Sequence, residues 1–197
     1  MVMIWTIILA AGESRRMARP KLLLPFGEKT IIETVLDNAV SSKANYTLLV
    51  IGGFREKIKQ KTKGLSIITI FNPDYMRGML SSVQMGFRSL PEGAQAAVVL
   101  LGDQPSISHT VIDKVIEGYS QTTKGIVLPT YKKKRGHPVL FDMKYKSEIA
   151  TLSPEVGLRG IVYGHPNDVY EVPVTTSSIL RDIDDMQDYK RELLNKN

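Results

Sequence analysis

The sequence predicts an α/β fold, three layers deep, with a mostly parallel twisted sheet between helices. Three observations carry this reading. Short apolar runs alternate with amphipathic stretches over roughly the first 130 residues, the rhythm of repeated β-α units. Residues 96–102, AAVVLLG, are apolar without alternation, as in a strand covered on both faces. Glycine closes the runs, with Gly12 after the first and Gly52-Gly53 after the second.

Each element has its own local warrant. MIWTIILAA (3–11) is a continuous apolar run of strand length. In TIIETVLDNAV, Thr30 and Glu33 have capping-box spacing, and Ile32, Val35, Leu36, Ala39 and Val40 share one helical face. YTLLVIG (46–52) is a second strand, followed by a short charged helix in REKIKQKT, and LSIITIF (65–71) is a third strand. In GMLSSVQMGFRSL, Leu80, Val83, Phe87 and Leu90 recur at spacings of three and four, so this is a helix. After 96–102, SHTVIDKVIEGY places Ile112, Val115, Ile116 and Tyr119 on one helix face, and GIVLPT (125–130) is another strand. The rhythm then loosens. YKKKRGHPVLF reads as a basic loop entering a strand, KYKSEIATL and GLRGIVYG as short helices, and VYEVPV as a late strand that Pro173 sets at a sheet edge or strand end. DMQDYKRELLN closes the chain as a helix. Without internal repeat, low-complexity stretch or Pro/Gly-rich linker, residues 1–197 are expected to form one domain.

Composition narrows the function classes. With 197 residues, 43% of them hydrophobic, the chain can bury a substantial core. The net charge of +6 suits an anionic partner, but Lys and Arg are spread along the chain rather than gathered, so no nucleic-acid partner is expected. The absence of cysteine removes disulfides, thiolate metal sites and Cys nucleophiles, and makes a cytoplasmic location the default. The apolar start lacks a basic n-region, and no run reaches about 18 apolar residues, so no membrane partner is expected.

Ligands of parallel sheets bind outside the carboxyl ends of the strands. That rule selects the loops after 9–11, 52–53, 71–73 and 101–103, and with them Gly53 and Asn72. The first loop packs Arg15, Arg16, Arg19 and Lys21 where a buried strand surfaces. Like charges repel, so this cluster asks for an anion. Ala10, Ala11 and Gly12 leave the backbone bare enough for amide groups to approach one, with Arg16 as a fork and Lys21 as a point charge. The same residues also suit a tight turn and a solvated basic loop. Neither G-x-x-x-x-G-K-[ST] nor G-x-G-x-x-G is present, which disfavours a nicotinamide-dependent oxidoreductase. Asp103 stands just past the most apolar strand, in VVLLGDQPSIS, where one carboxylate suits Mg²⁺ shared with phosphate oxygens and water. Gly-Asp-x-Pro is equally a turn sequence. In LRDIDDMQDYK, the acids Asp182, Asp184, Asp185 and Asp188 oppose the chain's basic trend and suit the start of the last helix. Ser81 and Ser82 lie near a helix start behind Gly78, which lets backbone come close. Lys132, Lys133, Lys134 and Arg135 form a basic run beside Gly136 and His137, and His137 has no partner at zinc-ligand spacing.

LAAGESRRMARPKLLLPFGEKTIIE resembles the LAAG-x-S-x-R-M…PK-x-L…G signature of the MobA/MocA-like nucleotidyltransferases, which have a Rossmann-like α/β/α fold. GDQP, FNPDYMRGMLSS and RGHPVLF resemble further motifs of that family, the last of them those of its molybdenum cofactor cytidylyltransferase branch. The resemblance implies that Leu9, Ala10, Ala11 and Gly12 wrap a nucleoside triphosphate and that Arg16 and Lys21 bind its phosphates. It implies nucleobase and ribose contacts from the 72–82 segment, with Gly78, Ser81 and Ser82. Asp103 would hold Mg²⁺, with Asp184 as second ligand and Asp182 in reserve; Asp185-Met186-Gln187 stands where the family has Thr-Pro-Glu. Arg135, Gly136 and His137 would face the acceptor. Pro154 and Glu155 depart from the branch's next motif, while Gly157 and Arg159 match it. Residues 1–105 then serve mainly the nucleotide, 106–181 the acceptor, and 182–197 form an acidic turn and helix. The implied reaction joins an NTP, with CTP favoured over GTP, to a phosphorylated acceptor such as molybdopterin, and releases pyrophosphate. A molybdenum enzyme would be a further partner. A sugar-phosphate nucleotidyltransferase and a non-catalytic cofactor-binding accessory protein are the other readings.

Overall fold

The computed structural model describes residues 2–14, 17 and 19–196. Its elements are β1 (Ile4–Ala10), β2 (Pro25–Phe26), β3 (Lys29–Thr30), α1 (Ile31–Val40), β4 (Tyr46–Ile51), α2 (Arg55–Lys61) and β5 (Ile68–Phe71), then α3 (Met79–Arg88), β6 (Ala96–Leu101), α4 (His109–Ser120), β7 (Ile126–Tyr131), β8 (Lys134–Arg135) and β9 (Val139–Asp142), and finally α5 (Lys146–Thr151), α6 (Arg159–Gly164), β10 (Val169–Pro173) and α7 (Met186–Lys196).

The main sheet runs β10-β7-β9-β6-β1-β4-β5, with β8 paired to β7. Strands β1, β4, β5 and β6 pair in parallel, as do β7 and β10; β9 is antiparallel to both β6 and β7. Side chains alternate between the two faces. From β1, Ile4, Ile8 and Ala10 join α1, α2 and α4 in one core, while Trp5, Ile7 and Leu9 join α3, α5 and α6 in the other. These are the three expected layers. Phe141 of β9 is fully buried in the second core, edge-on to Phe87 of α3. The full capping box forms at α1, with Thr30 and Glu33 each satisfying the other's backbone amide.

Three local differences from the sequence reading have physical causes. The third strand starts at Ile68 rather than 65, because the Ile67 amide turns back to Leu65 O and pairing to β4 begins only opposite Leu48. The basic stretch is a hairpin: Lys134 and Arg135 pair antiparallel with β7. Lys132 and Lys133 form its two-residue turn, both with positive φ. The β2–β3 ribbon carries too few residues to show a period, and it closes around Gly27 with φ 71°. Pro173 does lie on an edge strand, β10.

Candidate active site

Because β1, β4, β5, β6 and β7 point the same way, the loops that follow them gather at one edge of the sheet. Main-chain hydrogen bonds stitch these loops together. The Gly102 amide donates to Leu9 O at 3.0 Å, that of Gly53 to Ala11 O at 3.0 Å, and that of Asn72 to Ile51 O at 2.9 Å. Gly102 is a required glycine, since a Cβ there would stand 2.8 Å from Leu9 O.

A cleft of about 410 Å³ opens between these loops. Leu9, Ala10, Ala11 and Gly12 form its floor, with Gly78 and Ser82 on one side and Lys21, Asp103 and Asp184 on the other. The polar side is the best-defined part. Lys21 sits in a single 3-10 turn, Lys21–Leu23, whose first amide donates to Ser14 Oγ at 2.9 Å. Its ammonium donates to Asp103 Oδ2 at 2.6 Å and to Ile183 O at 2.8 Å, and reaches Asp184 Oδ1 at 3.5 Å. The Ile183 amide in turn donates to Asp103 O at 3.1 Å. Residues 82 and 162 positions apart in sequence are thus held by one amine. Asp103 Oδ1 is buried without a hydrogen-bond partner among the described residues. An orphaned carboxylate oxygen beside a second carboxylate fits a divalent ion that takes its remaining ligands from phosphate and water. No group of three or more His, Cys, Asp or Glu side chains suited to a metal occurs among the described residues.

The other expected site residues fall into three groups. Arg16 lies outside the described residues, and so does Arg15; Arg19 is exposed. Gly53, Asn72 and Ser81 are not among the residues that line this cleft, and Gly53 borders a separate hollow with Phe54, Arg55 and Tyr75. Asn72 is 1% exposed, and its amide nitrogen donates to the hydroxyls of Ser81 at 2.9 Å and Ser82 at 3.0 Å. The Ser81 hydroxyl is taken up by the carbonyls of Asp74 and Gly78. A Cβ on Gly53 would come within 2.9 Å of Glu13 Cγ. These three shape the loops, and the wall itself is built by others. Arg135 is turned outward to Glu171, with Nε 2.8 Å from its carboxylate. Gly136 is packed so tightly that a Cβ would meet Ile179 O at 2.2 Å. The His137 amide donates to the same oxygen at 3.0 Å. Burial pushes the His137 imidazole below its usual pKa, against the opposing pull of the Asp103 and Asp182 carboxylates, so this ring lies on the acidic side of the site. Asp182 is itself raised, first by loss of water and then by the carboxylates of Asp184 and Asp103.

Sequence reasoning missed Glu13, Ser14, Tyr75, Met76 and Met79, all of which line the cleft. The Tyr75 hydroxyl donates to Glu13 Oε1 at 2.9 Å, joining the loop after β5 to the loop after β1. Its ring packs where a Cβ on Gly52 would stand, 2.5 Å from Tyr75 Cγ. The Gly52-Gly53 pair was the one available signal. Met76 and Met79 are 70% and 62% exposed and carry no chemical signature in sequence.

Residues 6–169 match the model of the MobA-like NTP transferase domain. The chain belongs to this family. The MobA-like chain is an enzyme, a nucleotidyltransferase, built on the Rossmann-like α/β/α scaffold of its solved neighbours. It is 28% identical to the molybdenum cofactor cytidylyltransferase of Escherichia coli over 186 residues, covering 93% of this chain and 92% of that one. It is 25% identical to the nicotine blue oxidoreductase of Paenarthrobacter nicotinovorans, over 95% of each chain. Rv0371c of Mycobacterium tuberculosis superimposes with a TM-score of 0.85 at 27% identity, covering 98% of both chains, and that protein has also been solved with manganese. No helix among the described residues is long and apolar enough to cross a membrane.

Proposed function

We propose that the protein is a Mg²⁺-dependent cytidylyltransferase that joins CTP to a phosphorylated acceptor of the molybdopterin class and releases pyrophosphate. The observation that carries this reading is the position of the Lys21 ammonium. It lies between the Asp103 and Asp184 carboxylates at the mouth of the glycine-containing first loop. An amine, two carboxylates and open backbone amides are the parts that nucleotidyl transfer needs, because positioning and charge supply most of its catalysis. An acceptor phosphate oxygen attacks the α-phosphorus, the bond from that phosphorus to the bridging oxygen breaks, and pyrophosphate leaves in line. The amides near Ala11 and Gly12 cradle the β- and γ-phosphates, and Leu9 and Ala10 floor the nucleoside site. Lys21 and Arg16 meet the charge that grows on the leaving pyrophosphate. Gly78 and Ser82 border the base and ribose, held from behind by Gly53, Asn72 and Ser81. Asp103 and Asp184 would hold Mg²⁺, which when bound screens the triphosphate and polarises its α-phosphoryl group.

In this scheme residues 1–105 serve the nucleotide and 182–197 complete the metal side. Residues 106–181 serve the acceptor side, where His137 faces the Asp103 and Asp182 carboxylates while Arg135 is engaged by Glu171 and Gly136 packs on Ile179 O. CTP and molybdopterin are favoured by the E. coli relative's name, by LAAG in the first loop and by RGHP. The Paenarthrobacter relative supports a second, redox reading.

The test is a thermal-shift screen of the four NTPs with Mg²⁺, followed by pyrophosphate release with each NTP and acceptor. CTP should give the largest rise in melting temperature, and release should require molybdopterin. Equal shifts with all four NTPs would overturn the cytidylyl assignment. Pyrophosphate release that leaves no nucleotide attached to the acceptor would overturn transfer itself, and oxidation of added reduced nicotinamide in place of release would establish the redox reading.

A further inference from the structure

Asp184 sits in a short segment without regular structure, residues 181–185, between a 3-10 turn, Ser177–Leu180, and α7. Something must hold that segment against the Asp103 loop. Part of the answer is local. Asp185 Oδ1 accepts the amides of Gln187 at 2.8 Å and Asp188 at 2.9 Å, and Asp188 Oδ2 accepts the Asp184 amide at 3.1 Å. The rest lies underneath. Glu192 of α7 is 1% exposed, although carboxylates are almost never buried unless paired. One of its oxygens accepts from the Ser106 hydroxyl, three residues past Asp103. The other stands 3.2 Å from Arg181 Nε, in ion-pair contact but off the line of a hydrogen bond. Arg181 and Glu192 therefore bracket the acidic segment, one on each side, and Ser106 ties the pair to the Asp103 loop.

Buried ion pairs are poor sources of stability. Replacing both partners by apolar side chains of similar size is often neutral or stabilising, because the desolvation cost disappears with the charges. Here Glu192 is buried and Arg181 partly exposed, and the pair joins two segments that flank the site, which points to a role in setting geometry. We infer that Glu192, through Arg181 and Ser106, is a positioning residue that sets Asp184 opposite Asp103 and so tunes the divalent-cation affinity of the site. This rests on the reading of Asp103 and Asp184 as metal ligands. Glu192 touches neither nucleotide nor metal in this scheme.

The experiment measures Mn²⁺ binding to the purified protein by electron paramagnetic resonance, alongside the Mg²⁺ dependence of turnover. Three variants are compared: Ser106→Ala, Glu192→Gln and the double replacement Arg181→Met/Glu192→Leu. The double variant is expected to melt at or above the wild-type temperature and yet bind Mn²⁺ roughly tenfold more weakly, the scale of outer-shell effects on metal sites. The Mg²⁺ concentration for half-maximal activity should rise with it, while kcat at saturating Mg²⁺ changes little. Ser106→Ala, the mildest change, should shift affinity in the same direction by less. Wild-type Mn²⁺ affinity in a folded Ser106→Ala or double variant would overturn the inference and leave the pair a purely structural contact. Asp103→Asn and Asp184→Asn are the controls on the underlying reading. If they also leave Mn²⁺ binding intact, the metal assignment has failed; if they abolish it while the Glu192 variants do not, only the positioning role has.

Discussion

At the scale of single residues, the structure separates side chains that line the cleft from side chains that hold its wall. Gly12 makes the distinction testable. No heavy atom of the described residues lies within 4 Å of the place a Cβ would take there, so the free protein has room for alanine. Gly12→Ala should leave stability within about 0.5 kcal/mol of wild type, as for surface changes that break nothing. Its methyl group would stand where the polyphosphate approaches, so KM for the nucleotide should rise. An unchanged KM in steady-state assays would remove the first loop from phosphate binding. Lys21→Met is the complementary case. It takes the cation from Asp103 and Asp184, and turnover should fall by about 10²–10³, the range for loss of one charge-stabilising donor. Circular dichroism should still report the native fold. The cluster of cations was visible in sequence; that Lys21 turns inward onto two carboxylates was not.

At the scale of elements, helix α1 is the clearest case of sequence writing structure, because a capping box is read from residues three apart. The same contact carries a pH dependence with a definite sign. The Thr30 hydroxyl, and to a lesser degree its amide, hold the Glu33 carboxyl below its usual pKa, against the opposing effect of burial. A carboxylate lowered on folding contributes stability that is complete above its unfolded value and disappears as pH falls through the folded one. The difference in melting temperature between wild type and Glu33→Gln should therefore stay level from neutral pH to about 5. It should close below about pH 4, since the unfolded value lies near 4.3. A gap that widened on acidification would contradict the capping contact. Helix α7 is the opposite case. Its helical character was legible, but its burial of Glu192 was not, because the partners Arg181 and Ser106 lie 11 and 86 positions earlier in the chain.

At the scale of the whole molecule, the sheet places the site, and β9 holds its two sections together. β9 runs antiparallel between β6, which delivers Asp103, and β7, which leads into the basic hairpin. Phe141 is its fully buried anchor, so Phe141→Ala should cost about 3–5 kcal/mol in urea unfolding with an unchanged m-value. A loss below about 1 kcal/mol would mean that β9 is a dispensable insert. The sequence by itself determined the alternation of strands and helices, the loops where a ligand would sit, and the residue types that suit a polyphosphate and a divalent ion. Those signals are local, because apolar periods, caps and turn glycines act within a few residues of one another. Only the tertiary structure decided that β9 enters the sheet antiparallel and that Asn72, Gly53 and Ser81 support the wall. It alone joined Tyr75 to Glu13 and paired the buried Glu192 with Arg181 beside the acidic turn. Such pairings depend on how parallel strands bring distant loops to one edge, and no spacing along the chain records that distance.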